Sequence, residues 1–214
     1  MENLIKKHAK SFYWASFFLS KPVFDKCSSL YNFCRTLDDI VDDDKKLEIK
    51  KENFFKFKKN FINKVNDNPI TKEMWSIIDR EGISKQVVMD LFDGVETDLE
   101  EKVKINSKKE LLIYSYRVAG TVGLMMSKIL KVNNKEALKG AIDLGIAMQF
   151  TNIARDVCED KARNRQYVKH DFFSITEIIN ESQIFYDKSF YSISSIPLKS
   201  RFSVIVARRV YRKI

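Results

Sequence analysis

The chain has 214 residues, 44% of them hydrophobic, with 38 Lys and Arg against 29 Asp and Glu and a net charge of +9. That length and apolar content suit one sizeable domain, no run approaches the roughly 18 apolar residues of a membrane span, and the charged N-terminal stretch lacks the apolar core of a secretory signal. The basic excess comes without a nucleic-acid motif or a basic–aromatic platform, so nucleic acid is not an expected partner.

With 6 Gly and 3 Pro, long helices meet few interruptions, and short strands joined by Asn-Gly or Asp-Gly turns are not evident. The expected class is all-α, with residues 1–214 forming one domain. In chain order, Lys10–Leu19 reads as an aromatic-rich helix start with Ser11 as its candidate N-cap. Pro22 opens a helix that runs to Val41. Residues 42–51 are a dense charge run, a helix end and loop in which Asp43 and Asp44 are expected to be solvated. Glu52–Val65 is amphipathic, 66–69 is a turn, and Thr71–Ile78 and Ser84–Leu99 are helices parted at Gly82. Lys108–Leu130 reads as one long helix. Gly120 and Gly123 inside it mark close approach by a ligand or another helix, or a kink. A helix over Lys135–Asp160 follows, then a basic irregular stretch to Asp171, and final helices at Glu177–Ser195 and Pro197–Ile214.

Two of these helices carry the same polar stripe. The first runs Tyr31, Arg35, Asp38, Asp42; the second runs Gln149, Asn152, Asp156, Asp160. Steps of three and four keep residues on one helix face, and the residues between are largely apolar, so each stripe points inward. Like charges at i and i+4 repel unless a cation or solvent intervenes. One such acid pair is commonplace on an exposed face. Two, with amides and arginines beside them, point to a cavity that binds divalent metal and a phosphate-bearing ligand. Oxygen-only donors select hard cations, Mg²⁺ or Mn²⁺. Arg35, Arg155, Arg163 and Arg165 are candidates for phosphate, with a structural ion pair to a neighbouring acid as the alternative for each and an even one for Arg155. Phe12, Tyr31 and Tyr116 are candidates for an aromatic lining that stabilises a carbocation.

Cys27, Cys34 and Cys158 show no CxxC spacing and read as reduced thiols. His8 and His170 are too distant for a zinc site and read as surface or capping residues. The basic residues Lys199, Arg201, Arg208, Arg209, Arg212 and Lys213 are expected to form a solvated helix face, with an anionic membrane surface as the alternative. The expected location is cytoplasmic, with peripheral membrane contact left open.

The stretches KSFYWASFFL (10–19), YNFCRTLDDIVDD (31–43), YSYRVAGTVG (114–123) and AMQFTNIARDVCEDKARNRQYV (147–168) together resemble the squalene/phytoene synthase family. The resemblance implies an all-α isoprenoid synthase fold with a central cavity, and head-to-head joining of two prenyl diphosphates. It implies Mg²⁺ held by Asp38, Asp42, Asn152, Asp156 and Asp160. It places Gln149, Ser11, Phe12 and Tyr116 on the substrate, gives Arg35, Arg163 and Arg165 the diphosphates, sets Tyr31 among the catalytic residues and puts Tyr211 near the pocket. Within the family the phytoene-forming branch fits best: two geranylgeranyl diphosphates, a cyclopropyl diphosphate intermediate, no NAD(P)H, and carotenoid enzymes downstream. The alternatives are a C30 product from farnesyl diphosphate and a non-catalytic scaffold of the same fold. A third is a membrane-surface protein without pocket chemistry. Two departures stand out. Cys158 occupies a position where the family usually has glycine, and a small side chain is expected to be tolerated. The chain also ends at RRVYRKI, where family members continue through further helices, so exposed apolar surface is expected there.

Overall fold

In a computed structural model of the protein the described residues are 14–65, 68–132 and 134–214. The expectations for His8, Ser11 and Phe12 lie outside them. The elements are α1 (Lys21–Asp42), α2 (Leu47–Ile62), α3 (Pro69–Glu81), α4 (Lys85–Glu96), β1 (Val103–Lys104), α5 (Lys108–Ser115), α6 (Thr121–Ile129), α7 (Lys135–Arg155), α8 (Val157–Ala162), β2 (Arg165–Gln166), α9 (Phe172–Ser192) and α10 (Leu198–Tyr211). Among the described residues no helix is long and apolar enough to cross a membrane.

Helix starts follow local chemistry. Pro22 sits in the first turn of α1, where its missing N–H costs nothing. Asn68, Ser107, Asn134 and Asp171 cap α3, α5, α7 and α9, each side chain accepting a backbone N–H. The Asp171 cap sets the start of α9 at Phe172, before the Glu177 expected from periodicity. Likewise α2 begins at Leu47 rather than Glu52. Asp43 folds the preceding turn by accepting from the Lys45 backbone N–H (3.2 Å) and its ammonium (2.7 Å).

The main core is aromatic. Phe33 of α1 packs against Phe61 at 5.1 Å and edge-on to Phe92 at 5.8 Å, and all three are buried. Burying one such ring stabilises by about 1.5–3 kcal/mol, which locks α1 to α2 and α4. A second cluster (Tyr114, Ile146, Phe150, Ile153, Tyr167, Ile178) joins α5, α7 and α9. A small third cluster, Leu130, Val132 and Ala137, closes the far end of the molecule's cavity.

Three departures from a simple helix reading bear on the site. The expected helix Lys108–Leu130 is interrupted by a π-turn over Tyr116–Gly120. A Cβ on Gly145 would strike the Ala119 carbonyl, and one on Gly123 would strike the Ala141 carbonyl. The glycines therefore serve close helix approach. The second acid helix is also not continuous. Asp156 takes φ −98° and ψ 13°, ending α7 and starting α8. The bend keeps its hydrogen bonds, Asp156 N–H to the Asn152 carbonyl and Asp160 N–H to the Asp156 carbonyl, both 2.8 Å. The basic stretch after it is not wholly irregular: Val103–Lys104 and Arg165–Gln166 pair as a parallel two-residue ladder. Asn164, at φ 58°, turns the chain into it, a left-handed conformation that Asn tolerates.

Candidate active site

An apolar channel of about 340 Å³ runs between α1 and α7. Its α1 wall steps through Phe24, Cys27, Tyr31 and Cys34, and its α7 wall through Ala137, Ala141, Leu144, Met148 and Asn152. These are i, i+3 and i+4 spacings, one stripe on each helix. Val122 and Met126 of α6 and Val204, Ala207 and Tyr211 of α10 complete the wall. One turn beyond Cys34 stands Asp38, and one turn beyond Asn152 stands Asp156. The two acid stripes therefore continue the two channel walls at the same end.

The two stripes share charged neighbours: Arg163 and Arg165 bond Asp42 and also act on Asp160. Asp38 is solvent-exposed yet crowded by protein atoms. Its carboxyl is pushed up to about 7, first by lost hydration and then by Asp42, with Arg35 opposing and Asp98 adding. Asp160 is pushed up to about 6 by lost hydration and by Asp156, with Arg165 and Arg163 opposing and Asp98 adding. Carboxylates of both stripes share one field, and Asp98, which contributes to both, lies between them.

The arginines are engaged with these acids. Asp42 accepts from Arg165 Nη1 at 2.7 Å and Arg163 Nη1 at 3.2 Å. Arg155 grips Asp156 with both nitrogens at 2.6 Å. It thus takes the ion-pair role left open for it. Arg35 pairs with Asp39 at 2.7 Å, and its Nε is buried without a partner. Gln149 and Asn152 line the channel's polar end with Tyr31. The Asn152 amide is 3.5 Å from Gln149 Oε1, while Asn152 Oδ1 is buried and unpaired. Tyr211 reaches the same end: burial raises its hydroxyl, with Arg155 opposing and Asp156 adding. Cys158 is exposed.

Tyr116 is a correction. It does not line the channel. The π-turn carries it to the second cluster, where its hydroxyl donates to Asp90 at 3.2 Å. Two positions earlier in the same motif, Tyr114 is the ring that approaches the acids. It stacks on Tyr167 at 4.7 Å. Its hydroxyl lies 3.0 Å from Asp98 Oδ2 and 3.1 Å from the Tyr167 hydroxyl, one proton serving either. Tyr167 donates to Asp98 Oδ1 at 2.5 Å. Asp98, Tyr114 and Tyr167 were not singled out from the sequence. The signal was faint: Asp98 is one of two acids between Val95 and Leu99 at a helix end, with partners far along the chain.

Among the described residues no group of three or more His, Cys, Asp or Glu side chains is gathered tightly enough to hold a metal ion by itself. The donor set nevertheless fits a hard divalent cation. It is all oxygen, Asp38 and Asp160 resist ionising where they stand, and the buried Asn152 Oδ1 lacks a partner. Mg²⁺ commonly bridges one or two carboxylates to substrate phosphates and keeps several waters, so a fully formed protein cage is not required.

A sequence model described as squalene/phytoene synthase matches residues 5–188. The 15-cis-phytoene synthase of Pantoea ananas is 26% identical over 239 residues, covering 96% of this chain and 77% of that one. The phytoene synthase of Rhodobacter capsulatus is 27% identical, covering 99% and 70%. The 15-cis-phytoene synthase of a Paracoccus strain is 29% identical, and the match spans 69% of this chain and 55% of the relative. A crystal structure of a dehydrosqualene synthase in complex with ligand superposes with a TM-score of 0.81 at 26% identity, covering 98% of this chain and 81% of that one. The squalene synthase HpnC from Alicyclobacillus acidocaldarius superposes with 0.79 at 17% identity, covering 98% and 88%, which shows the shared fold.

Proposed function

The chain belongs to the squalene/phytoene synthase family, and on that premise we propose that it joins two geranylgeranyl diphosphates head to head to form phytoene, releasing diphosphate. The observation that carries the reading is the alignment of two acidic helix ends with one end of a long apolar channel. The phytoene synthases similar to this chain over nearly its whole length support the C20 substrate.

In this reading Asp38, Asp42, Asn152, Asp156 and Asp160 hold Mg²⁺, which would supply Lewis acidity to the departing diphosphates. Arg163 and Arg165, now on Asp42, and Arg35, with its unpaired Nε, sit where guanidinium can meet phosphate oxygens. Loss of diphosphate from one substrate leaves an allylic cation. The double bond of the second attacks it, and a proton is lost to give a cyclopropyl diphosphate, which releases the second diphosphate, rearranges and loses a proton to give the triene. The apolar walls keep water from the cations, and Tyr31 and Tyr211 line the channel, where a ring stabilises positive charge without trapping it. Burial keeps both phenols protonated. Partners are then the prenyl diphosphates and enzymes that consume a C40 hydrocarbon, and the basic, apolar-studded surface allows contact with an anionic membrane.

The C30 reading, from farnesyl diphosphate, draws on the similarity to a dehydrosqualene synthase. Incubation with Mg²⁺ and both C15 and C20 diphosphates, read by mass spectrometry, decides between them. A C40 triene is expected. Exclusive C30 product overturns the chain length, and no hydrocarbon from either overturns the enzyme. Asp156→Asn should nearly abolish turnover, and full activity in that variant would remove its assigned role.

A further inference from the structure

We propose that the third core cluster is the chain-length stop of this channel and that Ala137 is its specificity-determining residue; the inference rests on the prenyl diphosphate reading above. The α7 wall is a single stripe from Asn152 down to Ala137, and those fifteen residues rise about 22 Å along the helix axis. A prenyl chain whose diphosphate sits among the acids must send its tail along this stripe toward Ala137.

The middle and the floor of the channel are built differently. Midway, the small residues are already committed to protein. A Cβ on Gly123 would meet the Ala141 backbone, one on Gly145 the Ala119 backbone, and one on Gly140 the Ser192 side chain. At Gly123 and Gly145 the helix spacing is set by backbone contact, while Val122, Met126, Leu144 and Met148 supply side chains to the wall. At the floor, Ala137, Leu130 and Val132 form a buried cluster against which partly buried Leu19, Ile196 and Val204 pack. These come from four separate segments, and each also lines the channel. Ala137 has the smallest side chain of the group and lies on the axis of the α7 stripe. A larger residue there shortens the channel from below. Truncating Val132 deepens it. One methylene in an apolar pocket discriminates between substrates by roughly 10–200-fold, so a change of several carbons at the floor is enough to exchange one prenyl length for another.

The test is the ratio of kcat/KM for geranylgeranyl to that for farnesyl diphosphate, measured on the full chain. Ala137→Phe should lower the ratio by about tenfold or more, Ala137→Leu should lower it less, and Val132→Ala should raise it. Melting temperatures identify a variant that fails to fold, in which case the milder two decide. Folded variants whose ratio stays at the wild-type value, or Ala137→Phe and Ala137→Leu losing both substrates equally, overturn the proposal. A wild-type chain that turns over neither substrate overturns the functional reading and this inference with it, an outcome distinct from an unchanged ratio.

Discussion

Removing the Arg165 guanidinium tests whether the end of the first acid stripe is held to the Asp98 segment by one buried cation. Its side chain is 7% exposed. It donates to Asp42 at 2.7 Å, to the Val41 carbonyl at 3.2 Å and to the Asp98 carbonyl at 3.4 Å, tying β2 to the end of α1 and to the segment after α4. Breaking a buried ion pair from one side costs about 3–5 kcal/mol. Asp42 keeps 27% exposure and can recover some hydration, so Arg165→Met should cost about 3 kcal/mol, at the low end of that range. At about 2–4 °C per kcal/mol for a chain of this size, the melting temperature should fall by about 6–12 °C. The deficit should also depend on pH. Burial already raises the Asp98 carboxyl, and Arg165 opposes that rise; without the guanidinium Asp98 binds its proton more readily folded than unfolded, so the variant's relative stability rises as pH falls. Thermal unfolding followed by circular dichroism in chelator, near neutral pH and in mild acid, reads both effects. Arg165→Lys should recover part of the loss, since an ammonium cannot reproduce the fork. A melting temperature within a degree of wild type, or a deficit that does not change with pH, would refute the clamp.

Asp38→Asn tests the crowding of the acids without metal. The folded carboxyl is raised from 3.8 to about 7, so the folded chain holds a proton the unfolded chain releases, and ionisation erodes stability as pH rises through that window. The variant should therefore melt higher than wild type in chelator above neutral pH and the same below pH 3.8, by an amount on the order of 1 kcal/mol once solvent screening of this exposed side chain is allowed for; a lower melting temperature at every pH contradicts it. Glu81 has the opposite sign. Its carboxylate, 2% exposed, bridges Lys26 at 2.7 Å and Lys131 at 2.5 Å, and these partners hold it below its usual 4.5 despite burial. Its stabilisation is present above that value and fades as pH falls through the lowered one, so Glu81→Gln should cost about 1–3 kcal/mol at neutral pH and flatten the acid limb of the stability curve. Arg208, 5% exposed, donates Nε and Nη2 to the Tyr186 carbonyl at 3.2 and 2.8 Å and lies 4.9 Å from the Phe190 ring. Arg208→Met should loosen α10 first, seen as faster amide exchange over Leu198–Tyr211 than over α7; uniform exchange changes would show that no such latch exists.

The all-α class, most helix positions and the two acid stripes were legible in the sequence because they depend on local facts: 3.6-residue periodicity, scarce Gly and Pro, and Pro22 at a helix start. The identity of four aspartates and two amides on two helix faces needed nothing more. What neighbours them did not follow. Tyr114 and Tyr116 are equally aromatic and two residues apart, so they leave the helix on different faces, and the packing of that helix decides which one reaches the acids. The bend at Asp156 leaves its i+4 hydrogen bonds in place and so leaves periodicity unmarked. Asp98 joins the site through Tyr167 and Arg165, which approach it from nearly seventy residues further along the chain. Side-chain period reports the face a residue takes on its own helix, whereas the partner across the gap is chosen by how whole helices pack, and that choice belongs to the tertiary structure.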